Sequence, residues 1–258
     1  MKNIFDLKGQ VAVVTAGYSH LGKAISEVLA QYGAVVYIAG KNENSAREMI
    51  SEHPRSYKFK FINCDVSNNN SIKICFEKIF NKEKRINILV NNANYGKAGK
   101  LDEMPESDWA AGIDGTINNY FRCVQSALKY MKKNGGVIIN VASMYGVVSP
   151  NPEVYGISGF DNPPNYGAGK AAIIQLTKYA AVHFAKYNVR VNCISPGAFP
   201  KPAVQKNMTF IKNLEKKIPL GRIGVPEELK GTILLLASNA SSYITGQNIC
   251  VDGGWTTW

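Results

Sequence analysis

Short apolar runs alternating with segments of helical periodicity constrain this chain more than any other feature. Residues 10–15, Gln-Val-Ala-Val-Val-Thr, form an apolar run bounded by Gly9 and Gly17, the composition of a strand buried on both faces. Gly22 to Tyr32 then carries Ile25, Val28 and Leu29 at helical spacing and closes at Gly33. The alternation continues, with further strands predicted at 35–39, 57–63, 86–91, 136–142, 189–195 and 248–251. Helices are predicted at 43–52, 69–82, 106–133, from Tyr166 onward, at 203–216 and at 226–238. Strands that alternate with helices make a parallel sheet covered on both faces, because each parallel crossover needs a long connection. No linker, repeat or low-complexity segment interrupts the 258 residues, so a single α/β domain over 1–258 is expected.

Composition excludes several classes. The chain has 30 Lys and Arg against 19 Asp and Glu, a net charge of +11. The lysines are spread along it, with only short pairs such as Lys132-Lys133 and Lys216-Lys217. Without a basic run interleaved with aromatics, no nucleic-acid partner is expected. No apolar run approaches the ~20 residues of a membrane span. Met1 to Lys8 lacks the apolar stretch of a secretory signal. Cys64, Cys75, Cys123, Cys193 and Cys250 are scattered, with no Cys-x-x-Cys. Neither a disulfide framework nor a metal site is indicated, and a reducing cytoplasm is the expected setting.

Ligands of such a sheet bind beyond the carboxyl ends of its strands, which directs attention to six loops. The first holds Thr15-Ala16-Gly17-Tyr18-Ser19-His20-Leu21-Gly22, a strand–turn–helix junction whose backbone N–H groups suit a pyrophosphate. The second, Gly40-Lys41-Asn42, lacks a carboxylate for a ribose diol and offers a lysine for a 2′-phosphate. Asp65-Val66 follows the third strand, Asn91-Asn92-Ala93-Asn94 the fourth, Ser143 the fifth and Pro196-Gly197-Ala198 the sixth. Beyond Ser143 and a Pro/Gly-rich loop comes Tyr166-Gly167-Ala168-Gly169-Lys170. Tyrosine and lysine four apart share a helix face. A neighbouring ammonium favours phenolate and lowers the phenol's pKa from its usual ~10. A serine hydroxyl facing that pair can hold a carbonyl oxygen. This is chemistry for interconverting carbonyls and alcohols. With 13 Tyr in a lysine-rich chain, roughly one Tyr-x-x-x-Lys arises from composition alone, so the surrounding motifs decide.

Together, in this order and spacing, the motifs resemble the short-chain dehydrogenase/reductase superfamily, in its single-domain branch of about 250 residues. The likeness extends to Asn192-Cys193-Ile194-Ser195-Pro196-Gly197, Pro219 to Glu228, Tyr243-Ile244-Thr245-Gly246-Gln247 and Val251-Asp252-Gly253-Gly254. Gluconate dehydrogenases and ketoacyl reductases are the most similar in overall pattern. The resemblance implies a Rossmann-type doubly wound sheet. It implies Tyr166 as general acid in reduction, Lys170 lowering its pKa and binding the nicotinamide ribose, and Ser143 orienting the substrate oxygen. Thr116, or Asn118 if the helix shifts register, would take the place of an asparagine that holds a water in the proton relay. The cofactor would meet Thr15, Gly17, Ser19, His20, Leu21 and Gly22 at the pyrophosphate and Lys41 and Asn42 at the ribose. Asp65 and Val66 would border the adenine, Asn92 and Ala93 would line the channel, and Pro196, Gly197 and Ala198 would flank the nicotinamide. The expected activity is an NADP(H)-dependent oxidation or reduction of a small polar, sugar-type substrate. The alternatives are a 3-ketoacyl-carrier-protein-type reductase and a catalytically impaired cofactor-binding scaffold or redox sensor. A small-molecule substrate and a homo-oligomer, dimer or tetramer, built through the two long helices and the C-terminal segment are the expected partners.

The chain departs from the family's pattern in several places. Ala16 and His20 replace the first two glycines of Thr-Gly-x-x-x-Gly-x-Gly. Either His20 or Ser19 contacts a phosphate there, or the imidazole faces solvent. Asn94 stands where the family has glycine, and Lys201 where a threonine follows Pro-Gly. Residues 149–164 make the gap from Ser143 to Tyr166 longer than usual. This insertion either shapes the substrate pocket, offering Glu153, Tyr155, Phe160 and Asn162, or is an indifferent surface addition.

Overall fold

The computed structural model describes residues 3–258. Strands β1 (Val11–Thr15), β2 (Val35–Gly40), β3 (Lys58–Asn63), β4 (Ile88–Asn91), β5 (Gly136–Val141), β6 (Val189–Pro196) and β7 (Asn248–Val251) form one sheet in the order β3-β2-β1-β4-β5-β6-β7. Every pairing is parallel. The crossovers carry α1 (His20–Gln31), α2 (Glu43–Ser51), α3 (Asn69–Glu83), α4 (Glu106–Ile113), α5 (Asn119–Met131), α6 (Pro152–Tyr155), α7 (Pro164–Phe184), α8 (Pro202–Gln205), α9 (Met208–Lys217) and α10 (Lys230–Ala237). The doubly wound α/β architecture expected from the alternation is present.

Residues two apart in a strand share a face, and the cores divide accordingly. Ala12 and Val14 of β1 pack with Ile25 and Leu29 of α1 and Ile233 and Leu236 of α10. Val11 and Val13 pack on the other face with Phe76 of α3, Cys123 and Ala127 of α5 and Ala180 of α7. Each large side chain buried this way contributes roughly 1.5–3 kcal/mol. The strand order reverses between β1 and β4, opening the crevice at which ligands of such sheets bind. A smaller third cluster caps the carboxyl end beside it: Met144, Tyr145, Val154, Phe210, Leu214 and Trp255.

Candidate active site

Ser143 leaves the end of β5 and caps a short 3-10 turn, Met144–Gly146, its hydroxyl accepting from Tyr145 N at 3.2 Å. That turn lies against α7. A Cβ on Gly146 would sit 2.7 Å from the Lys170 backbone, so glycine lets the turn approach. The approach brings Ser143 within hydrogen-bonding reach of the Tyr166 phenol. Both line a cavity of about 290 Å³ with Ala198, Phe199, Phe210 and the inserted segment.

Lys170 lies behind Tyr166, 3% exposed. Its ammonium donates to Val141 O at 2.6 Å and lies 3.5 Å from the Tyr120 hydroxyl, which itself donates to Val141 O at 2.9 Å. It stands 5.4 Å from the Tyr166 ring centroid and 5.3 Å from that of Tyr120, a cation held between two π faces. Burial brings the Lys170 pKa down to about 7, because no carboxylate compensates the desolvation. Tyr166 corrects an expectation. Its phenol is pushed up, not down: burial disfavours phenolate, and the Ser143 hydrogen bond offsets this only in part.

At the β1–α1 junction, Thr15 Oγ1 accepts from Asn92 N at 2.9 Å and Ala93 N at 3.0 Å. Asn92 Nδ2 reaches Thr15 O, Ala16 O and Ser19 Oγ at 3.0, 3.2 and 3.1 Å. Thr15, Asn92 and Ala93 thus tie the loops after β1 and β4 together. Ser19 caps α1, accepting from Gly22 N. His20 and Leu21 open its first turn, which carries no acidic residue, leaving N–H groups and a positive helix end for an anion. Gly17 packs inward on Ser26 and Ile38, and Gly22 on the Ala16 carbonyl.

At the ends of β2 and β3, Lys41 forms a 3.5 Å ion pair with Asp65, whose carboxyl is held below its usual range first by the Ser67 hydroxyl. Asn42 caps α2, and its N–H donates to the Tyr18 hydroxyl. The Tyr18 ring lies against Gly40, where a Cβ would come within 2.5 Å. Val66 is partly buried, its carbonyl accepting from Arg122. Pro196 ends β6, and Gly197 follows, donating to Val251 O at 3.0 Å with its Cα against Asp252.

Comparison with known proteins places this geometry. A family profile described as "Enoyl-(Acyl carrier protein) reductase" matches residues 15–256. The 3-oxoacyl-(acyl-carrier-protein) reductase FabG of Chlamydia pneumoniae is 36% identical, over 97% of this chain and 98% of that one. The chain belongs to the short-chain dehydrogenase/reductase family. Like its relatives it is an oxidoreductase. A solved gluconate 5-dehydrogenase from Burkholderia cenocepacia, in complex with NADP and tartrate, is similar at 28% identity and TM-score 0.86, over 99% of this chain and 98% of that one. A short chain dehydrogenase from Leptospira borgpetersenii with bound NAD+ is similar at 31% identity and TM-score 0.87, over 99% and 96% of the two chains.

Two departures from the family's pattern resolve in unexpected ways. Between α4 and α5 the chain forms a wide π turn, Asp114–Asn118. One extra residue there turns the following helix face by about 100°. Asn118 is exposed and bonds only Asp114, so its expected site role fails. Thr116 is buried, its hydroxyl spent on Gly112 O, but it lines a 210 Å³ cavity shared with Tyr166. Asn119 is the inward asparagine. It is 1% exposed, donates to Ala93 O at 2.9 Å and Gly115 O at 3.0 Å, and leaves its Oδ1 without a partner. At the altered glycine loop, Ala16 adopts φ +49°, a left-handed conformation that a Cβ disfavours. His20 does not turn wholly to solvent: its Nε2 is buried without a partner, and burial lowers its pKa.

The insertion 149–164 folds as helix α6 and a loop docked on α9. Tyr155 and Phe160 stack against Phe210 at 5.5 and 5.0 Å, and the Tyr155 hydroxyl donates to that of Tyr145 at 2.7 Å. It lines the 290 Å³ cavity and an adjoining outer one of about 850 Å³. Sequence reasoning missed Tyr120, Asn119 and Tyr18. Tyr120 was legible only as an apolar position of a long helix, and nothing local ties it to a lysine fifty residues away.

Proposed function

We propose that the protein interconverts a ketone and a secondary alcohol with NADP(H), Tyr166 transferring the proton. The observation that carries this is a single cavity with Ser143 and Tyr166 in its wall and the buried Lys170 ammonium behind them. The loops after β1, β2 and β6 suit a dinucleotide: an α1 N-terminus free of acid, an exposed lysine after β2, and small residues Gly197 and Ala198 beside Tyr166. When bound, the nicotinamide supplies hydride, two electrons with a proton, for the carbonyl carbon. Ser143 holds the carbonyl oxygen, and the Tyr166 hydroxyl gives that oxygen its proton as the C–O double bond becomes single. Lys170 balances the phenolate left behind. A phenol pushed up by burial needs this countercharge more than an exposed one would.

Lys41 supports NADP(H) over NAD(H). Its present partnership with Asp65 is a solvated pair, 69% exposed on the lysine side, worth ≤ ~1 kcal/mol and readily exchanged for a phosphate. A complete Ser-Tyr-Lys set in a cavity speaks against a catalytically impaired scaffold. The aromatic cavity wall gives less support to a polyol than to a less polar ketone. Exposed Phe121 on α5 and Tyr179 and Val182 on α7 are the surface we would assign to a homo-oligomeric contact. Trp255 is instead buried within its own chain, edge-on to Tyr145.

Titration with NADPH and NADH tests the cofactor reading. Lys41→Ala is expected to weaken NADPH by about ten- to a hundredfold, the size of one charged hydrogen bond, with NADH little changed. Equal weakening of both would overturn Lys41 as the phosphate reader.

A further inference from the structure

We infer that Tyr155 and Phe160 of the inserted segment act as a size filter: they wall the catalytic cavity off from a larger one beside it and limit which ketones the enzyme accepts. This rests on the carbonyl–alcohol reading of the same site and adds which residues set its reach.

Two cavities meet at the insertion. The inner one, about 290 Å³, has Ser143 and Tyr166 in its lining, and the outer one, about 850 Å³, has neither. Tyr145, Tyr155, Phe160, Asp161 and Asn162 line both, so they stand between the two spaces. The inner volume is near the lower end of ligand pockets, ~300 Å³, and a nicotinamide beside Gly197 and Ala198 would share it. What is left suits one small ring, while the larger space beyond is shut off from the proton donor.

Local structure explains why the partition holds. Gly156 and Gly159 take φ of +47° and +75°, left-handed values that glycine reaches without the penalty of a Cβ. Between them the chain turns back, with Ser158 N donating to Tyr155 O at 2.9 Å and Ile157 exposed at the tip. The reversal brings both flanking rings onto Phe210 of α9, Tyr155 at 5.5 Å and Phe160 at 5.0 Å between centroids. The Tyr155 hydroxyl is also fixed on that of Tyr145, a buried residue whose ring stands edge-on to Trp255 at 6.4 Å. Aromatic pairs of this kind stabilise beyond the area they bury. A substituent that runs from the reacting carbon towards the insertion has to break them or end at Tyr155. The filter is a property of this chain's extra segment.

Two ketones that share a reacting group and differ by a ring test this: 4-methylcyclohexanone and 4-phenylcyclohexanone. Each is offered with NADPH and NADH to the wild type, Tyr155→Ala, Phe160→Ala and Ile157→Ala. The wild type is expected to favour the methyl compound in kcat/KM. Tyr155→Ala and Phe160→Ala should each raise the phenyl-to-methyl ratio by about tenfold or more, the discrimination a pocket makes over small apolar groups. General damage to the site cancels in that ratio. Ile157→Ala changes only the exposed tip and should keep the wild-type ratio. A wild type that accepts both ketones equally, a ratio unmoved in the wall variants, or one moved as far by Ile157→Ala overturns the inference while the oxidoreductase reading stands. If Tyr155→Ala does not fold, Phe160→Ala, at a partly exposed position, decides. If no ketone turns over, calorimetric binding of 4-phenylcyclohexanone decides. Binding to the wall variants alone keeps the filter and removes the carbonyl chemistry. Binding to every protein, or to none, overturns the inference.

Discussion

The proton-transfer centre and the inserted wall facing it are built in opposite ways. Ser143, Tyr166 and Lys170 come from the end of β5 and from α7, and long-range bonds from Val141 and Tyr120 fix the lysine. The wall at 149–164 combines short-range turns with a few contacts to Tyr145 and α9. Three of its polar contacts, Asn151 to Glu153, Ser158 to Phe160 and Asp161 to Asn162, span one or two residues. Its anchors on the rest of the chain include two ring contacts with Phe210, the Tyr155–Tyr145 hydrogen bond and the Asn213 amide on Val154 O. The proton-transfer centre rests on the sheet, while the wall facing it is contributed by the inserted segment. Scaffold-positioned loops carry specificity for this reason.

Removing the proton donor breaks the comparison most directly. Tyr166→Phe is expected to lower kcat by about 10²–10⁴-fold, the usual contribution of a positioned acid or base, with cofactor affinity retained in a fluorescence titration. Retained turnover would mean that the proton comes from elsewhere.

Lys170→Met should also abolish turnover, yet raise Tm. Burial lowers the Lys170 pKa from its ordinary 10.5 to about 7, so the unfolded chain binds more protons between those values. Wild-type stability therefore rises with pH across that window, and the full penalty, a few kcal/mol, applies below it. A Tm near pH 6 that falls in the variant would show that the ammonium's bonds outweigh its desolvation.

A finer test sharpens the long-range half of the comparison. Tyr120→Phe keeps the π face over Lys170 and removes one acceptor for its protons. The Lys170 pKa should fall further, so the loss of activity on raising pH should begin at lower pH than in wild type. An unshifted pH profile with reduced kcat would reduce Tyr120 to packing.

The smallest effect belongs to the cofactor loop. Ala16→Gly relieves φ +49° and is expected to add up to about 1 kcal/mol in urea denaturation. A destabilised variant would mean that the Ala16 methyl packs better than its backbone is strained.

The sequence by itself determined the order of strands and helices and the loops that form the site, because burial of alternate residues leaves a period readable in one dimension. It also picked out Ser143, Tyr166 and Lys170, since a motif records which side chains end a strand or share a helix turn. It misjudged the Tyr166 phenol and did not show that Asn119, rather than Asn118, turns inward beside Thr116. A pKa depends on water removed and charges placed through space, and one extra residue in a π turn reorients every side chain after it. Tertiary structure alone decided that Tyr120 and Val141 would meet Lys170, and that Tyr155 and Phe160 of the insertion would stack on Phe210.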